Sequence, residues 1–153
     1  MKQGDVLKKE REKKGLTEDS VANRLGIEAD EYRQMESGTS PIEDWGFRLA
    51  QLAIKLETPT SRLLAETGRS GDCKPGQAGE LIRAHRERRG LSKEELATAA
   101  GITVDDYEAV EQGGSPIEKY GPLLLAFAET IEQPVFNLFY PCGLPYRELE
   151  DYP

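Results

Sequence analysis

Residues 16–38 read LTEDSVANRLGIEADEYRQMESG, and the pattern of this stretch determines the fold class. Its apolar side chains recur every three or four residues, which is typical of short amphipathic helices, and they show no sustained strand-like alternation. Gly26 and Gly38 stand where a helix must end, because glycine adopts the left-handed conformation at little cost. Thr17 precedes the first apolar turn and is a favoured N-cap. The stretch therefore predicts two short helices joined by a tight turn.

The same pattern returns in residues 91–113, which read LSKEELATAAGITVDDYEAVEQG. A shift of 75 residues aligns positions 4–65 with positions 79–140 without a gap, and about 22 of the 62 aligned pairs are identical. The residues between the copies have the glycine, serine and proline content of a flexible linker. The sequence therefore predicts a first domain over 1–67, a linker over 68–78, a second domain over 79–140 and a C-terminal tail over 141–153.

Five helices are expected in each copy, so the predicted fold class is all-α. In the first copy the pattern places them at Asp5–Lys14, Glu18–Leu25 and Ala29–Glu36, and then after Pro41 and after Pro59. In the second copy Ser92 with Glu95 forms a capping box, and Thr103 is an N-cap. The fourth helix carries an apolar stripe that is expected to face the core: Trp45, Leu49, Leu52, Ala53 and Leu56.

These residues resemble the Cro and lambda-repressor type of helix-turn-helix, also called the XRE family. The resemblance covers nearly all of both copies and includes a small residue, Ala22 or Ala97, where the second and third helices cross. It implies two tandem five-helix domains and the function of a DNA-binding transcriptional regulator. It also implies a structural bridge between the first and third helices in each copy, Arg11 with Glu36 and Arg86 with Glu111.

In the family, the N-terminal part of the third helix enters the major groove and the start of the second helix touches phosphate. The matching positions of the third helices are Ala29, Asp30, Arg33 and Gln34 in the first copy, and Val104, Asp105, Glu108 and Ala109 in the second. Lys13 and Lys93 add positive charge near this face. The candidate DNA-binding residues are thus Ala29, Asp30, Arg33, Gln34, Lys13, Lys93, Val104 and Asp105.

The charge of the chain weakens the expectation of DNA binding. Its formal net charge is −8, whereas a nucleic-acid-binding domain normally carries a basic surface. Residues 103–111 contain four carboxylates and no basic side chain, and residues 28–36 contain four against one arginine. Acidic groups near a helix N-terminus also stabilise the helix, so folding alone explains them. The alternative to double-stranded DNA is therefore a protein partner, bound by the acidic helices.

Basic side chains gather instead on the first helix of each copy. Two interpretations remain open for this cluster: a solvated helix face, or a patch that contacts phosphate. Its members are Lys8, Lys9, Arg11, Lys13 and Lys14 in the first copy, and Arg83, Arg86, Arg88 and Arg89 in the second.

Catalysis and cofactor binding find no support in the sequence. His85 is the one histidine and is expected to be exposed on the first helix of the second copy. Without a second histidine or paired cysteines it makes no ordinary metal site. Cys73 and Cys142 are too few for a disulfide framework and are expected as free thiols. We therefore predict a protein that is not an enzyme and needs no cofactor or metal.

Neither a secretory signal nor a membrane-spanning run is expected, which predicts a soluble cytosolic protein. From Val135 onward the sequence is more aromatic than the equivalent part of the first copy. This C-terminal stretch either packs back onto its own domain or forms a surface for a homodimer or another protein.

Overall fold

The computed structural model describes residues 2–133 and 135–139, so the predicted tail over 141–153 and Cys142 lie outside the described residues. Within the described part of the chain all regular structure is helical, which confirms the all-α prediction. The α-helices are α1 Gln3–Lys13, α2 Glu18–Leu25, α3 Ala29–Ser37, α4 Ile42–Leu56, α5 Thr60–Leu64, α6 Gln77–Arg88, α7 Lys93–Ala100, α8 Val104–Glu111 and α9 Ile117–Ile131, with short 3-10 helices at Ser70–Asp72 and Val135–Leu138.

The helix ends follow the capping signals in the sequence. Thr17 Oγ1 accepts the backbone N–H of Ser20 at 3.0 Å, and Thr103 Oγ1 accepts that of Asp106 at 3.1 Å. Ser92 and Glu95 form the reciprocal capping box, with bonds of 3.1 Å in both directions. These caps satisfy amide groups that have no partner inside the helix. All three predicted N-caps are therefore confirmed.

The order of the helices repeats along the chain. A shift of 75 residues carries α2 onto α7 and α4 onto α9 with the same bounds. The fifth element differs, because the 3-10 helix Val135–Leu138 stands where the first copy has the α-helix Thr60–Leu64. Both elements are a single turn or little more, and 3-10 geometry is common in such short pieces. The expected fifth α-helix of the second copy is therefore a 3-10 helix in the described residues.

The apolar cores of the two copies are joined into one, and helices are exchanged between them. Apart from the helices that follow them, α3 and α8, the main contacts of α2 are with α9 and those of α7 are with α4. Helices α4 and α9 also pack against each other, and α5 packs against α6. The first two helices of each copy are therefore covered in part by the fourth and fifth elements of the other copy.

Individual side chains show this exchange directly. The ring of Tyr32 stacks on that of Phe127 with centroids 6.3 Å apart. The Gln3 side-chain amide donates to the backbone oxygen of Leu138 at 2.7 Å. Gly121 lets Leu64 of the first copy come close to the fourth helix of the second, because a Cβ at Gly121 would lie 2.5 Å from Cδ2 of Leu64. These contacts join residues more than 50 positions apart, so they fix how the copies meet.

Two reciprocal ion pairs lie at the edges of this contact. Lys14 Nζ lies 3.4 Å from Glu132 Oε2, and Arg89 Nη1 lies 2.7 Å from Glu57 Oε2. Both glutamates are left-handed C-caps, with φ of 49° at Glu57 and 57° at Glu132. The pairs are solvent-exposed, so each contributes only about 0.2–1 kcal/mol. The two pairs lie at equivalent positions of the two copies.

The segment between the copies also has contacts of its own. The backbone N–H of Ser70 donates to Glu129 Oε2 at 3.0 Å, and Thr67 Oγ1 donates to Asp72 Oδ2 at 2.7 Å. The first bond ties the short 3-10 helix Ser70–Asp72 to α9, and the second lies within the segment itself. All four side chains are exposed or nearly so, so the bonds are in water rather than in the core.

Two aromatic rings differ in burial from the sequence expectation. Trp45, expected in the apolar stripe of the fourth helix, is only partly buried, and the Arg48 guanidinium lies 4.7 Å from the centre of its ring. Its NH group and large ring are suited to such a boundary position. His85, expected as an exposed residue, is half-buried on α6.

None of the helices in the described residues is long and apolar enough to cross a membrane.

We expect Gly121→Ala to lower the free energy of unfolding by about 1–3 kcal/mol, because the new methyl group collides with Leu64 from the other copy. Urea unfolding measures the change. Gly71→Ala is the control, since a Cβ there meets open space, and it should change stability by less than about 0.5 kcal/mol. Leu64→Ala removes the collision, so its cost and that of Gly121→Ala should be less than additive. Additive costs would contradict this contact.

Candidate nucleic-acid interface

Helix α3 is fixed to α1 by a nearly buried ion pair. Arg11 binds the Glu36 carboxylate with two nitrogen atoms, at 2.6 Å through Nε and 3.1 Å through Nη2. Its remaining Nη1 donates to the backbone oxygen of Leu16 at 2.9 Å, at the entry to α2. One guanidinium on α1 therefore holds α3 and the entry to α2 together. Such a bidentate pair defines orientation as well as energy.

The second copy has the same arrangement. Arg86 binds Glu111 at 2.6 and 3.2 Å and donates to the Leu91 oxygen at 3.1 Å. Burial pushes the pKa of Glu111 up, but the hydrogen bonds and charge of Arg86 outweigh it and the pKa lies below its usual value. This carboxylate therefore adds stability above its unfolded pKa, and the contribution is lost as the pH falls through the folded value. The structural role that the resemblance implied for both bridges fits this geometry.

The candidate DNA-reading positions divide into two groups by burial. Ala29 and Val104, the first residues of α3 and α8, are partly buried and pack against the core. Asp30, Gln34 and Asp105 are exposed. A base or phosphate approaching the helix N-terminus would therefore meet carboxylate and amide groups before it met the alanine or valine.

Arg33, the one basic residue of α3, is surrounded by carboxylates. Its Nη1 lies 2.7 Å from Asp30 Oδ1, its Nη2 3.3 Å from Asp19 Oδ1 and its Nε 3.8 Å from Glu18 Oε1. Two of these acids come from the first turn of α2, so the guanidinium bridges the two helices of the motif. The side chain is still 48% exposed. Arg33 is thus accessible but already neutralised.

The second copy has this bridge with its charges reversed. Lys93 of α7 stands where α2 has Glu18, and Glu108 of α8 stands where α3 has Arg33. Lys93 Nζ lies 3.7 Å from Glu108 Oε1, close to the 3.8 Å between Arg33 and Glu18. Sequence reasoning missed this bridge, although the alignment of the copies contained the signal. Both positions change the sign of their charge between the copies, so an attractive pair is kept in each copy.

Basic side chains on the first helices are freer. Lys13 is 60% exposed and only 3.4 Å from Glu10 on its own helix. Four further side chains are exposed and make no ion pair within the described residues: Lys8, Lys9, Arg83 and Arg88. The alignment pairs Lys8 with Arg83 and Lys13 with Arg88, so the patch recurs in both copies. These cations can meet phosphate without first breaking a strong contact.

The other reactive side chains do not form a site. Burial, with Glu129 and Asp72 nearby, raises the pKa of the free thiol of Cys73 to about 11, which keeps it protonated at neutral pH. Burial and the charges of Arg88 and Arg89 lower the pKa of His85. The described residues hold no group of three or more histidine, cysteine, aspartate or glutamate side chains that could bind a metal ion.

A family model described as a helix-turn-helix domain matches residues 77–130, which span α6, α7, α8 and nearly all of α9. No curated protein and no solved structure matches the chain. The chain therefore contains a helix-turn-helix domain in its second half, within an all-α fold, and such a domain supports DNA binding.

We expect Arg86→Ala to destabilise the protein by about 3–5 kcal/mol, because the Glu111 side chain is only 6% exposed and loses its counter-charge. In a chain of this size that corresponds to a fall in Tm of roughly 6–20 °C. Arg88→Ala removes an exposed arginine two residues later and should leave Tm within about a degree or two. A similarly small change for Arg86→Ala would show that the bridge does not form.

Proposed function

We propose that the protein is a DNA-binding transcriptional regulator of the cytoplasm, with two tandem XRE-like helix-turn-helix domains over 1–67 and 79–140 joined by residues 68–78. The observation that carries the proposal is the helix-turn-helix match in the second half, together with the return of the same helices at a shift of 75 residues in the first. The bidentate bridges of Arg11 and Arg86 give both copies the same internal geometry.

The proposed DNA surface combines two sets of residues. The ends of α3 and α8 present Ala29, Asp30, Arg33, Gln34, Val104 and Asp105 to the bases, and Lys13 and Lys93 lie beside them. Phosphate attraction comes mainly from the unpaired cations of the first helices, Lys8, Lys9, Arg83 and Arg88. In this assignment the protein binds and does not catalyse, and it needs neither cofactor nor metal.

The acidic side chains weaken DNA binding but do not abolish it. Each exposed ion pair of Arg33 contributes only about 0.2–1 kcal/mol, so breaking all three costs about 0.6–3 kcal/mol. A good bidentate contact with guanine returns about 1–3 kcal/mol, which is of the same size. Asp30 and Asp19 also repel phosphate, and salt at physiological strength screens that repulsion only beyond about 8 Å. We therefore expect weak duplex binding that depends steeply on salt and resides mainly in the first copy.

The second candidate function is a protein-interaction module in which the acidic helices bind a basic protein partner. The observation in its favour is α8, on which Asp105 and Asp106 are exposed and no cation lies, while the neighbouring Lys93 is paired with Glu108. Such a surface repels phosphate and attracts lysine and arginine. DNA binding by the second copy is then weak or lost.

Releasing Arg33 from its three carboxylates distinguishes the two functions. We expect Glu18→Gln, Asp19→Asn and Asp30→Asn together to tighten non-specific duplex binding at about 50 mM salt. The slope of log K against log salt should become steeper by the amount that roughly one additional phosphate contact produces. Electrophoretic mobility shift with a salt titration measures both. Adding Arg33→Ala to the triple variant should remove the extra slope.

A charge-matched variant controls for net charge. Glu12→Gln, Glu66→Gln and Glu80→Gln remove the same number of negative charges from exposed positions that make no ion pair in the described residues. If the first variant binds duplex no better than this control, α3 does not approach DNA. The DNA-binding proposal would then fail for the first copy, and the protein-partner function would take its place.

A further inference from the structure

A cavity of about 610 Å³ lies between helix α9 and the segment that links the two copies. Its inner side is apolar and consists of Leu125 and Ala128 of α9 together with Val135. Its outer side includes Gly71 and Asp72 of the linking segment. Cavities of about 300–1,000 Å³ with an apolar lining and a few polar groups are typical of small-molecule sites. The volume and the lining therefore fit a small organic ligand.

Hydrogen bonds hold the outer wall of the cavity in place without a ligand. The backbone N–H of Ser70 donates to Glu129 Oε2 at 3.0 Å, and the Ser70 hydroxyl donates to the other oxygen of the same carboxylate. Thr67 Oγ1 donates to Asp72 Oδ2 at 2.7 Å within the segment. A ligand that enters a preformed site loses less free energy to ordering the protein. The wall is therefore already arranged for binding.

Acidic groups dominate the polar part of the lining. Among the described lining residues, the carboxylates of Asp72, Glu129 and Glu132 outnumber the one guanidinium, that of Arg69. The Glu132 side chain is 79% exposed, and its contact with Lys14 is as long as 3.4 Å. An ionised carboxylate has about four lone-pair sites, so Glu129 and Asp72 can accept further hydrogen bonds. The lining therefore offers a ligand both acceptors and negative charge.

The raised pKa of the Cys73 thiol agrees with a negative potential beside the cavity. Cys73 directly follows Asp72 in the chain. Burial is the main reason that its pKa is raised to about 11, and the charges of Glu129 and Asp72 raise it further. A potential that disfavours a thiolate favours a cation. The charge of the lining therefore selects a positively charged group over an anion.

The acidic wall is a feature of the second copy and not of the repeat. Ile54 stands at the position of the first copy that is equivalent to Glu129. Glu57 is equivalent to Glu132, but it is held by Arg89 at 2.7 Å. The packing that both copies share therefore does not account for Glu129 at the cavity.

We propose that this cavity binds a small organic cation, with an ammonium group at Glu129 and Glu132 and an apolar body against the inner side. Removal of the apolar body from water favours binding, and the carboxylates select the charge. No described residue of the lining belongs to α3 or α8. The proposal is therefore independent of DNA binding.

The test uses the full chain, isotope-labelled for nuclear magnetic resonance, with phenethylammonium as the probe. We expect saturable shifts of the amide signals around the cavity, with a dissociation constant of about 1 mM or tighter for a ligand of this size. Phenylpropionate has the same ring but a carboxylate, and it should bind at least about tenfold more weakly. Ethylammonium lacks the ring and should give no saturable shifts.

Three results would overturn the proposal. The first is equal or tighter binding of phenylpropionate or of ethylammonium. The second is the absence of saturable shifts with phenethylammonium at up to about 10 mM, which is roughly ten times the expected dissociation constant. The third is a set of shifts confined to residues outside the cavity.

Neutralising the acidic wall tests the role of its charge. Glu129→Gln with Glu132→Gln keeps an acceptor for Ser70 but removes both charges, so the probe should bind roughly tenfold more weakly. The matched control, Glu57→Gln with Glu94→Gln, removes the same charge from exposed positions outside the lining. It should change the affinity by less than about twofold, because solvent and salt screen distant charges. An equal loss in both variants would show that net charge alone attracts the probe.

Filling the inner side of the cavity tests its location. Ala128→Phe places a ring where the apolar body is proposed to bind, so the probe should bind at least about tenfold more weakly. Circular dichroism checks that the variant is folded. Unchanged binding to the folded variant would overturn the proposal. If the larger side chain prevents folding, the glutamine variants, whose substitutions are at exposed positions, give the result instead.

Discussion

Each copy covers an apolar face of the other with its fourth helix, α4 or α9, and the rest of the structure depends on this packing. Helix-turn-helix segments of this length bury too little apolar surface by themselves, and α2 and α7 obtain the missing partner from the other copy. Tyr32 illustrates the consequence, because its ring lies under Phe127 and has no exposed surface. The glycines at 46 and 121 leave room for this packing, because Gln3 and Phe139 approach α4 at Gly46 and Leu64 approaches α9 at Gly121. The copies are therefore a single packed body, whatever the bounds of the domains in sequence.

The second constraint is local and is met inside each copy. Arg11 and Arg86 each use three nitrogen atoms to hold a carboxylate and the carbonyl at the start of the next helix. Replacement of either arginine leaves an unpaired carboxylate in a site that excludes most water, which is costly. The pair therefore holds the third helix in its orientation. The packing between copies and the bridge within copies thus act on different parts of the motif. The first covers its apolar face, and the second sets the angle of the helix that would meet DNA.

Much of this could be predicted from sequence, because the signals are local. Thr17, Ser92 and Thr103 show the helix starts, and the bounds of α2 follow from Thr17 and Gly26. The exchange of helices could not be predicted in this way. Periodicity shows which face of α4 is apolar but does not distinguish α2 from α7 as its partner, and the two choices bury the same residues. Trp45 was misplaced for a related reason, since an aromatic residue on the apolar stripe also suits its edge, where Arg48 covers the ring.

The reversed bridge bears on what the helix-turn-helix surface does. If Arg33 served only to hold phosphate, the second copy would have little reason to place Glu108 there and Lys93 opposite it. The attraction between α2 and α3 survives the reversal with nearly the same distance, 3.8 Å against 3.7 Å, so bridging the two helices is a role that both copies share. Attraction for phosphate is the role in which they differ, because the reversal moves the cation from the third helix to the start of the second. A duplex bound by both copies would therefore contact a cation on the third helix of the first copy but at the start of the second helix of the second copy. The two halves of its binding site would be recognised differently.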